Sequence, residues 1–393
     1  MKTAGNKWFK DAIVYHILID RFAGYDISRN WKKPGFIGGN LAGVTDRLSY
    51  LHDLGINTIW LSPVFKNTSY HGYHITDFYS TDRRFGTEKE LVNLIRKANY
   101  LNIRVLLDFV PNHCSWKHPF FVEALQDPGS RYRKWFYFNN LNNTYKCFLH
   151  YRDLPKINLD YAPARDHIVG AARHWLSLGI DGFRLDHVIG PSHAFWKYFK
   201  KEVNLVRPDA VLIGEAWLEG INRHMLKTIQ IRRKYMRWLL KMNAWEIQRE
   251  YIDDFDGVLD FFFRYRITEY IAWKDDPGLY EQKLRSAMLG HYKHFPAGFY
   301  LPSFIENHDM NRFLYDAGQN RDKLKTALKL QFSLPQPPIL YYGTETGLTN
   351  NEPVSHRIRF SDVQARKPMP WENLDYDMIN FCRELILERK KRV

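Results

Sequence analysis

Four apolar runs in this 393-residue sequence end on side chains able to move protons or carry charge. VLLDFVPNH ends in Asn112 and His113, GFRLDHV carries Arg184 and Asp186, VLIGEAW carries Glu215, and SFIENHD ends in His308 and Asp309. Arg184 and Asp186 stand two apart, which on a strand turns both to one side, the inner side where Phe183 and Leu185 pack outward on helices. A cation that near lowers a carboxyl pKa by roughly 1–3 units and keeps Asp186 an anion, as a nucleophile must be at neutral pH. Glu215 follows Val211, Leu212, Ile213 and Gly214, where burial favours the protonated acid. One charged and one neutral carboxyl is the division of labour of retaining glycosidases, which hold the two about 5–5.5 Å apart. A third anion, Asp309, suits the positive charge that such a reaction places on a sugar ring. His113 and His308 are placed to donate hydrogen bonds to sugar hydroxyls, and Tyr73, in the loop SYHGYH, to stack on a pyranose ring.

Other chemistries find less support. His71 and His74 lie three apart, but no matching acidic or histidine pair accompanies them, so no catalytic metal is expected; calcium held by oxygen ligands near Asn112 stays open. No G-x-S-x-G elbow or cysteine–histidine pair argues for acyl transfer. Cys114, Cys147 and Cys382 are odd in number and widely spaced, which makes reduced thiols the default. Lysine and arginine outnumber aspartate and glutamate by 57 to 43, a net +14, but the excess is dispersed and no nucleic-acid partner is expected. Its densest run, Arg232 to Lys241, reads as a solvated basic helix. No stretch reaches the roughly 18 apolar residues of a membrane span, and no export signal is readable at the start, so the expected location is cytoplasmic.

The elements that must position these residues form a repeating pattern. A helical stretch from about Thr45, with Leu48, Leu51 and Leu54 on one stripe, stops at Gly55 before NTIWLSP. Thr87 and Glu90 form a capping box ahead of Leu91, Leu94, Ile95 and Ala98, and RVLLDFV follows. Asp166 is placed to cap a helix presenting Ile168, Val169, Ala172, Trp175 and Leu176, which Gly179 ends before IDGFRLD. Eight strand candidates fall near 12–19, 57–61, 104–110, 181–186, 211–215, 257–263, 301–305 and 338–342. Helices alternating with eight apolar strands imply a (β/α)8 barrel, whose active residues gather at the carboxyl ends of the strands; periodicity alone leaves an open doubly wound sheet as the alternative. About fifty residues, 113–162, separate the third strand from the next helix. They are too many for a structureless loop and read as an inserted subdomain on a barrel of 1–112 and 163–393.

DFVPNH (108–113), GFRLDHV (182–188), EAW (215–217) and FIENHD (304–309) resemble, in order and spacing, the four signature regions of the α-amylase family, glycoside hydrolase family 13. The resemblance extends to GINTIWLSPVF (55–65), HGYH, YYGTETGL (341–348) and RKPMPW (366–371). It implies a TIM barrel with a subdomain after strand three and retaining cleavage of α-glucosidic bonds, mainly α-1,4, in maltooligosaccharides or related α-glucans, cyclodextrins and pullulan included. By position it makes Asp186 the nucleophile, Glu215 the acid/base and Asp309 the transition-state stabiliser. Tyr73, His113, Arg184 and His308 then surround the attacked glucose, and His187 meets the leaving-side sugar. LPKIN (154–158) looks like the lysine-containing variant of neopullulanases and cyclomaltodextrinases. No cofactor is required on this reading. Neither an N-terminal domain nor a C-terminal β-sandwich is expected, since the chain begins almost at strand one and stops after the last helix. A 4-α-glucanotransferase using the same residues, and a non-catalytic barrel acting as a binding subunit, are the alternatives.

Overall fold

The computed structural model describes residues 6–139, 144–217, 244–276, 278–355, 358 and 360–392. The basic run Arg232 to Lys241 lies outside them. Eight parallel strands occur where the apolar runs predict them: β1 (Val14–Ile17), β2 (Thr58–Leu61), β3 (Arg104–Phe109), β4 (Gly182–Leu185), β5 (Val211–Gly214), β6 (Gly257–Val258), β7 (Ser303–Phe304) and β8 (Pro338–Tyr341). Alternating with helices, they make the fold a (β/α)8 barrel. The residues gather into two compact units, one mainly Pro63–Arg83 and Leu106–Val258, the other Lys7–Ser62, Arg84–Val105 and Leu259–Val393.

In the first unit β3, β4, β5 and β6 lie side by side in parallel. Registers place Asp108 beside Arg184 and Leu185 beside Gly214. Phe183 points outward as expected: its ring meets Phe109 at 5.2 Å and, at 6.3 Å, Phe199 of the helix His193–Val206. Arg184 is thereby left on the inner face. The segment after β3 holds a helix (Pro119–Gln126) and two small antiparallel pairs, Phe138–Asn139 with Thr144–Tyr145 and Cys147–Phe148 with Tyr151–Pro155. A bridge between His113 and Lys156 ties its far end back to the end of β3.

In the second unit β2, β1, β8 and β7 are neighbours, again all parallel. Two of the expected helices match closely. Thr87 and Glu90 form the full capping box of Glu88–Tyr100, and Gly55, at φ 99°, ends Leu48–Leu54 in the left-handed conformation that costs glycine least. The stretch before Gly55 starts earlier than predicted, at Leu41, because Asn40 accepts from the Gly43 amide and caps it, and it is broken at Arg47.

Other details are corrected. Asp166 does not cap its helix: Ala162–Ser177 starts one turn sooner, after Tyr161 and with Pro163 in the first turn, where proline's fixed φ favours helix entry. Asp166 instead accepts from Arg165 Nε at 2.9 Å. The sixth strand ends at Val258 rather than 263, because Asp260 accepts from the Phe263 amide at 3.0 Å and starts the helix Phe261–Ile267. All three cysteines are free thiols, and among the described residues no helix is long and apolar enough to cross a membrane.

Gly182 opens β4 at φ 146°, and a Cβ there would meet the Val211 carbonyl oxygen at 2.1 Å. Replacing it therefore strains the backbone and pushes β5 away from the strand that carries Arg184. Gly182→Ala should cost about 2 kcal/mol or more, read as a fall of several degrees in melting temperature with a parallel loss of activity.

Candidate active site

Arg184 is the hub of the first unit's polar residues. Its Nη1 donates to Asp108 Oδ1 and Oδ2 at 2.8 and 2.9 Å and to Asp186 Oδ1 at 3.0 Å, while Nη2 pairs with Glu215 Oε1. Burial opposes the arginine's charge, but Asp108, Glu215, Tyr73 and Asp186 outweigh it and raise its pKa well above the usual value. The division read from sequence, Asp186 paired with the arginine and Glu215 surrounded by apolar chain, is therefore not the geometry found. Both carboxylates share the one guanidinium.

Backbone geometry fixes the rest of the cluster. Asp186 and Glu215 each stand one residue past a strand end, and the Glu215 amide donates to the Leu185 carbonyl at 2.9 Å, which continues the β4–β5 pairing up to the two carboxylates. His187 follows with φ 44°, unusual for a residue with a side chain, and its amide donates to Glu215 Oε2 at 3.1 Å. Backbone strain is thus located beside the carboxylate pair. Tyr73 donates its hydroxyl to Asp108 Oδ2 at 2.8 Å, so its phenol is anchored at the polar end. Asp108 was missed as a site residue. The readable signal was an acid inside the apolar run VLLDFV, two residues from the run's end.

His113 and His187 are buried in the same unit. Burial first, then His74 and Lys156, lowers the His113 pKa to about 3. Burial, then His113, Lys156 and Arg184, lowers that of His187 well below the usual value. Both imidazoles are therefore neutral at pH 7 and act as hydrogen-bonding groups. Phe148 stacks on His113 at 4.7 Å and meets His187 edge-on at 4.5 Å, a joint contact that the sequence did not suggest.

The calcium expectation near Asn112 meets an ammonium group. Lys156, of LPKIN, is buried and donates its Nζ to the Gly190 carbonyl at 2.6 Å. The Asn112 Oδ1 lies against the same glycine, 2.0 Å from where its Cβ would be, and is buried without a hydrogen-bond partner. A divalent cation on these two oxygens would sit beside the Lys156 ammonium that already holds the Gly190 carbonyl, so the residues do not fit calcium. Among the described residues no group of three or more histidines, cysteines or acids could hold a metal.

The second unit holds His308 and Asp309. Asp309 accepts from Arg366 Nη2 at 2.9 Å and lies 2.9 Å from His308 Nε2, and Arg366 Nε reaches the His308 carbonyl at 2.7 Å. Its side chain is 46% exposed, against 11% for Asp186. His308 meets His16 edge-on at 5.1 Å, and His16 stacks flat on Trp60 at 3.6 Å. Arg366, in the RKPMPW motif, was another residue whose role the sequence did not reveal.

These features define a (β/α)8 barrel with arginine-held carboxylates at the ends of its strands. The chain belongs to the α-amylase family, whose model of the catalytic domain matches residues 9–378. It is 37% identical over 391 residues to Alpha-amylase 2 of Dictyoglomus thermophilum, covering 98% of this chain and 64% of that one. It is 28% identical over 408 residues to Neopullulanase 2 of Thermoactinomyces vulgaris, covering 98% and 63%. Among solved structures, an α-amylase of Geobacillus thermoleovorans complexed with acarbose is 29% identical with a TM-score of 0.79, covering 98% of this chain and 79% of that one. The chain thus spans just under two thirds of the length of these curated relatives.

Two outcomes follow from the geometry. Asp108→Asn removes a full charge from a buried arginine pair, so kcat/KM should fall about 10²-fold through misplaced carboxylates, and stability by roughly 3 kcal/mol; steady-state kinetics and urea unfolding measure the two. His113, with its folded pKa depressed from 6.5 to about 3, binds fewer protons folded than unfolded between those values. Its contribution is complete above pH 6.5 and is lost as pH falls towards 3. The urea midpoint should drop from pH 7 to pH 5, and by less in His113→Asn.

Proposed function

We propose that this protein is a retaining glycoside hydrolase that cleaves α-glucosidic bonds, mainly α-1,4, in maltooligosaccharides or related α-glucans. One observation carries the reading: Asp186 and Glu215, at the ends of adjacent strands, share Arg184. Membership of the α-amylase family and the names of its relatives support the substrate class. The LPKIN motif and the neopullulanase relative extend that class to cyclodextrins and pullulan.

In the proposed reaction Asp186 attacks the anomeric carbon while Glu215 gives a proton to the departing glycosidic oxygen. The C–O bond breaks and a covalent glucosyl ester forms. Glu215, now a carboxylate, takes a proton from water, which attacks the same carbon, releases Asp186 and returns the α-anomer. Arg184 donates to Asp186 and pairs with Glu215, and so holds both carboxyl groups in place for the two steps. The family pattern FIENHD gives Asp309 the third role, stabilising the cationic sugar ring, and assigns His113, His308 and Tyr73 to the attacked glucose and His187 to the leaving side. We read 113–162 as an inserted subdomain of the barrel, and the three free cysteines support a cytoplasmic location.

The test is a proton NMR time course on maltoheptaose. Shorter sugars should appear first as α-anomers, and Asp186→Asn should lower kcat by at least about 10²-fold. Early β-anomers, or full activity in that variant, would refute the mechanism, and early products longer than the substrate would reassign the enzyme to glucosyl transfer.

A further inference from the structure

In the second unit Arg366 is the mount of Asp309, and it lies in none of the eight strands. It follows the short turn Ser361–Gln364, and its amide donates to the Val363 carbonyl at 3.1 Å, a bond within its own segment. Its guanidinium serves the His308 carbonyl at 2.7 Å, Asp309 Oδ1 at 2.9 Å and the Asp362 carboxylate. An arginine that fixes a carboxylate must itself be fixed, or the two move together.

Two buried side chains grip the backbone on either side of Arg366. Arg312 Nε donates to the Ala365 carbonyl at 3.0 Å, and the Tyr342 hydroxyl donates to the Lys367 carbonyl at 2.6 Å. Both are anchored in the barrel. Tyr342 stands one residue past β8, and its amide donates to the His16 carbonyl at 3.0 Å, which continues the pairing of β8 with β1. Arg312 Nη1 donates to Glu306 Oε1 at 2.9 Å and to the Tyr342 carbonyl at 2.7 Å, and its guanidinium lies 4.0 Å over the Tyr341 ring. Thr344 Oγ1 donates to the same Glu306 oxygen at 2.6 Å and fixes that carboxylate in turn.

Glu306 answers the burial of the Arg312 charge, as a buried ion pair requires. Neither the bond from Arg312 Nε to Ala365 nor the bond from Tyr342 to Lys367 is needed for that pairing. The two gripped carbonyls belong to the residues just before and just after Arg366, so they hold the chain at both ends of the stretch from which its side chain leaves. One such point would be a pivot. Two leave the Arg366 Cα little freedom to slide or turn. Because 46% of the Asp309 side chain is exposed, its position depends more on this mount than on packing.

We propose that Arg312 and Tyr342 are positioning residues of the reaction, which hold Arg366 from both sides and thereby set Asp309 against the sugar ring as it becomes cationic. The proposal rests on the role given to Asp309 in α-glucan hydrolysis. Neither residue touches substrate in this scheme, so the loss of either should lower kcat and leave KM nearly unchanged. The effect should be smaller than that of Asp108→Asn, because attraction to a diffuse charge changes gradually with distance.

A double-mutant cycle tests it, with kcat and KM on maltoheptaose for Tyr342→Phe, which removes one hydroxyl and keeps the ring, for Arg366→Met, and for the two combined. Tyr342→Phe should lower kcat about fivefold in the wild-type background and have no further effect once Arg366 is gone. A hydroxyl that serves the fold alone would lower the melting temperature and leave kcat as it was. Unchanged kcat, or an equal loss in both backgrounds, would overturn the proposal. Arg312→Lys gives the answer if Tyr342→Phe misfolds, since a point charge cannot reach Glu306, the Tyr342 carbonyl and the Ala365 carbonyl together. A readout free of activity comes from NMR on isotope-labelled arginine: the Arg366 Nε–H signal, identified by its absence from Arg366→Met, should exchange with water about fivefold faster in Tyr342→Phe, and an unchanged exchange rate would overturn the clamp. Full activity in Asp309→Asn beside that faster exchange would instead refute the role given to Asp309 and leave the grip on Arg366 standing.

Discussion

A buried guanidinium sets the conditions for the polar residues of the first unit. Arg184 is 2% exposed and faces three carboxylates, Asp108, Asp186 and Glu215. Burying charge is costly unless every member of the group is satisfied, and removing one partner leaves the others worse placed than before. The surrounding chain answers this constraint. Tyr73 donates to Asp108, the His187 amide donates to Glu215, and strand register puts Asp108 next to Arg184. With Glu215 carrying the proton it donates, Asp108 and Asp186 around one cation still leave negative charge in excess. That surplus suits a reaction whose transition state is positive and is poor design for a cluster that serves stability alone.

Lys156 extends the same electrostatic logic into the segment after β3. It is a buried cation brought back to the end of β3 by the bridge between its own backbone and that of His113. Its charge helps to keep His113 and His187 unprotonated. Neutral imidazoles both donate and accept, so they can orient hydroxyl groups without adding more positive charge near the developing cation. Phe148 contacts both rings and limits their freedom to turn.

Much of this arrangement was legible in the sequence because it depends on short-range rules. Period-two parity put Arg184 and Asp186 on one side of β4, the capping box at Thr87 and Glu90 marked a helix start, and Gly55 marked a helix end. Partnership was less legible. Asp108, Lys156 and Arg366 act through residues 76, 34 and 57 positions away, and no local pattern specifies such pairs. The same limit explains why Glu215 was expected in apolar surroundings: its apolar neighbours in sequence form the strand, while the arginine comes from the adjacent one. Where two local signals competed, the reading erred. Asp166 looked like a cap, but Pro163 had already begun the helix. The apolar run past Val258 looked like more strand, but Asp260 caps a helix there.

Two of the arginine-held carboxylates of the sequence pattern, Asp186 and Asp309, are not held alike. Asp186 is bound by an arginine of its own strand, nearly out of solvent, where screening is weak and backbone register sets the geometry. Asp309 is bound by Arg366 from a distant part of the chain, with nearly half of its side chain in water. Arg366 itself is buried, but a pair whose acid is half in water is screened by salt more than a fully buried one and constrains position less firmly. A nucleophile must meet one carbon at bonding distance and gains from a rigid mount. A carboxylate whose work is to face diffuse positive charge tolerates more movement, because Coulomb attraction changes gradually with distance. The unequal mounting of Asp186 and Asp309 therefore matches the unequal precision that their proposed roles demand.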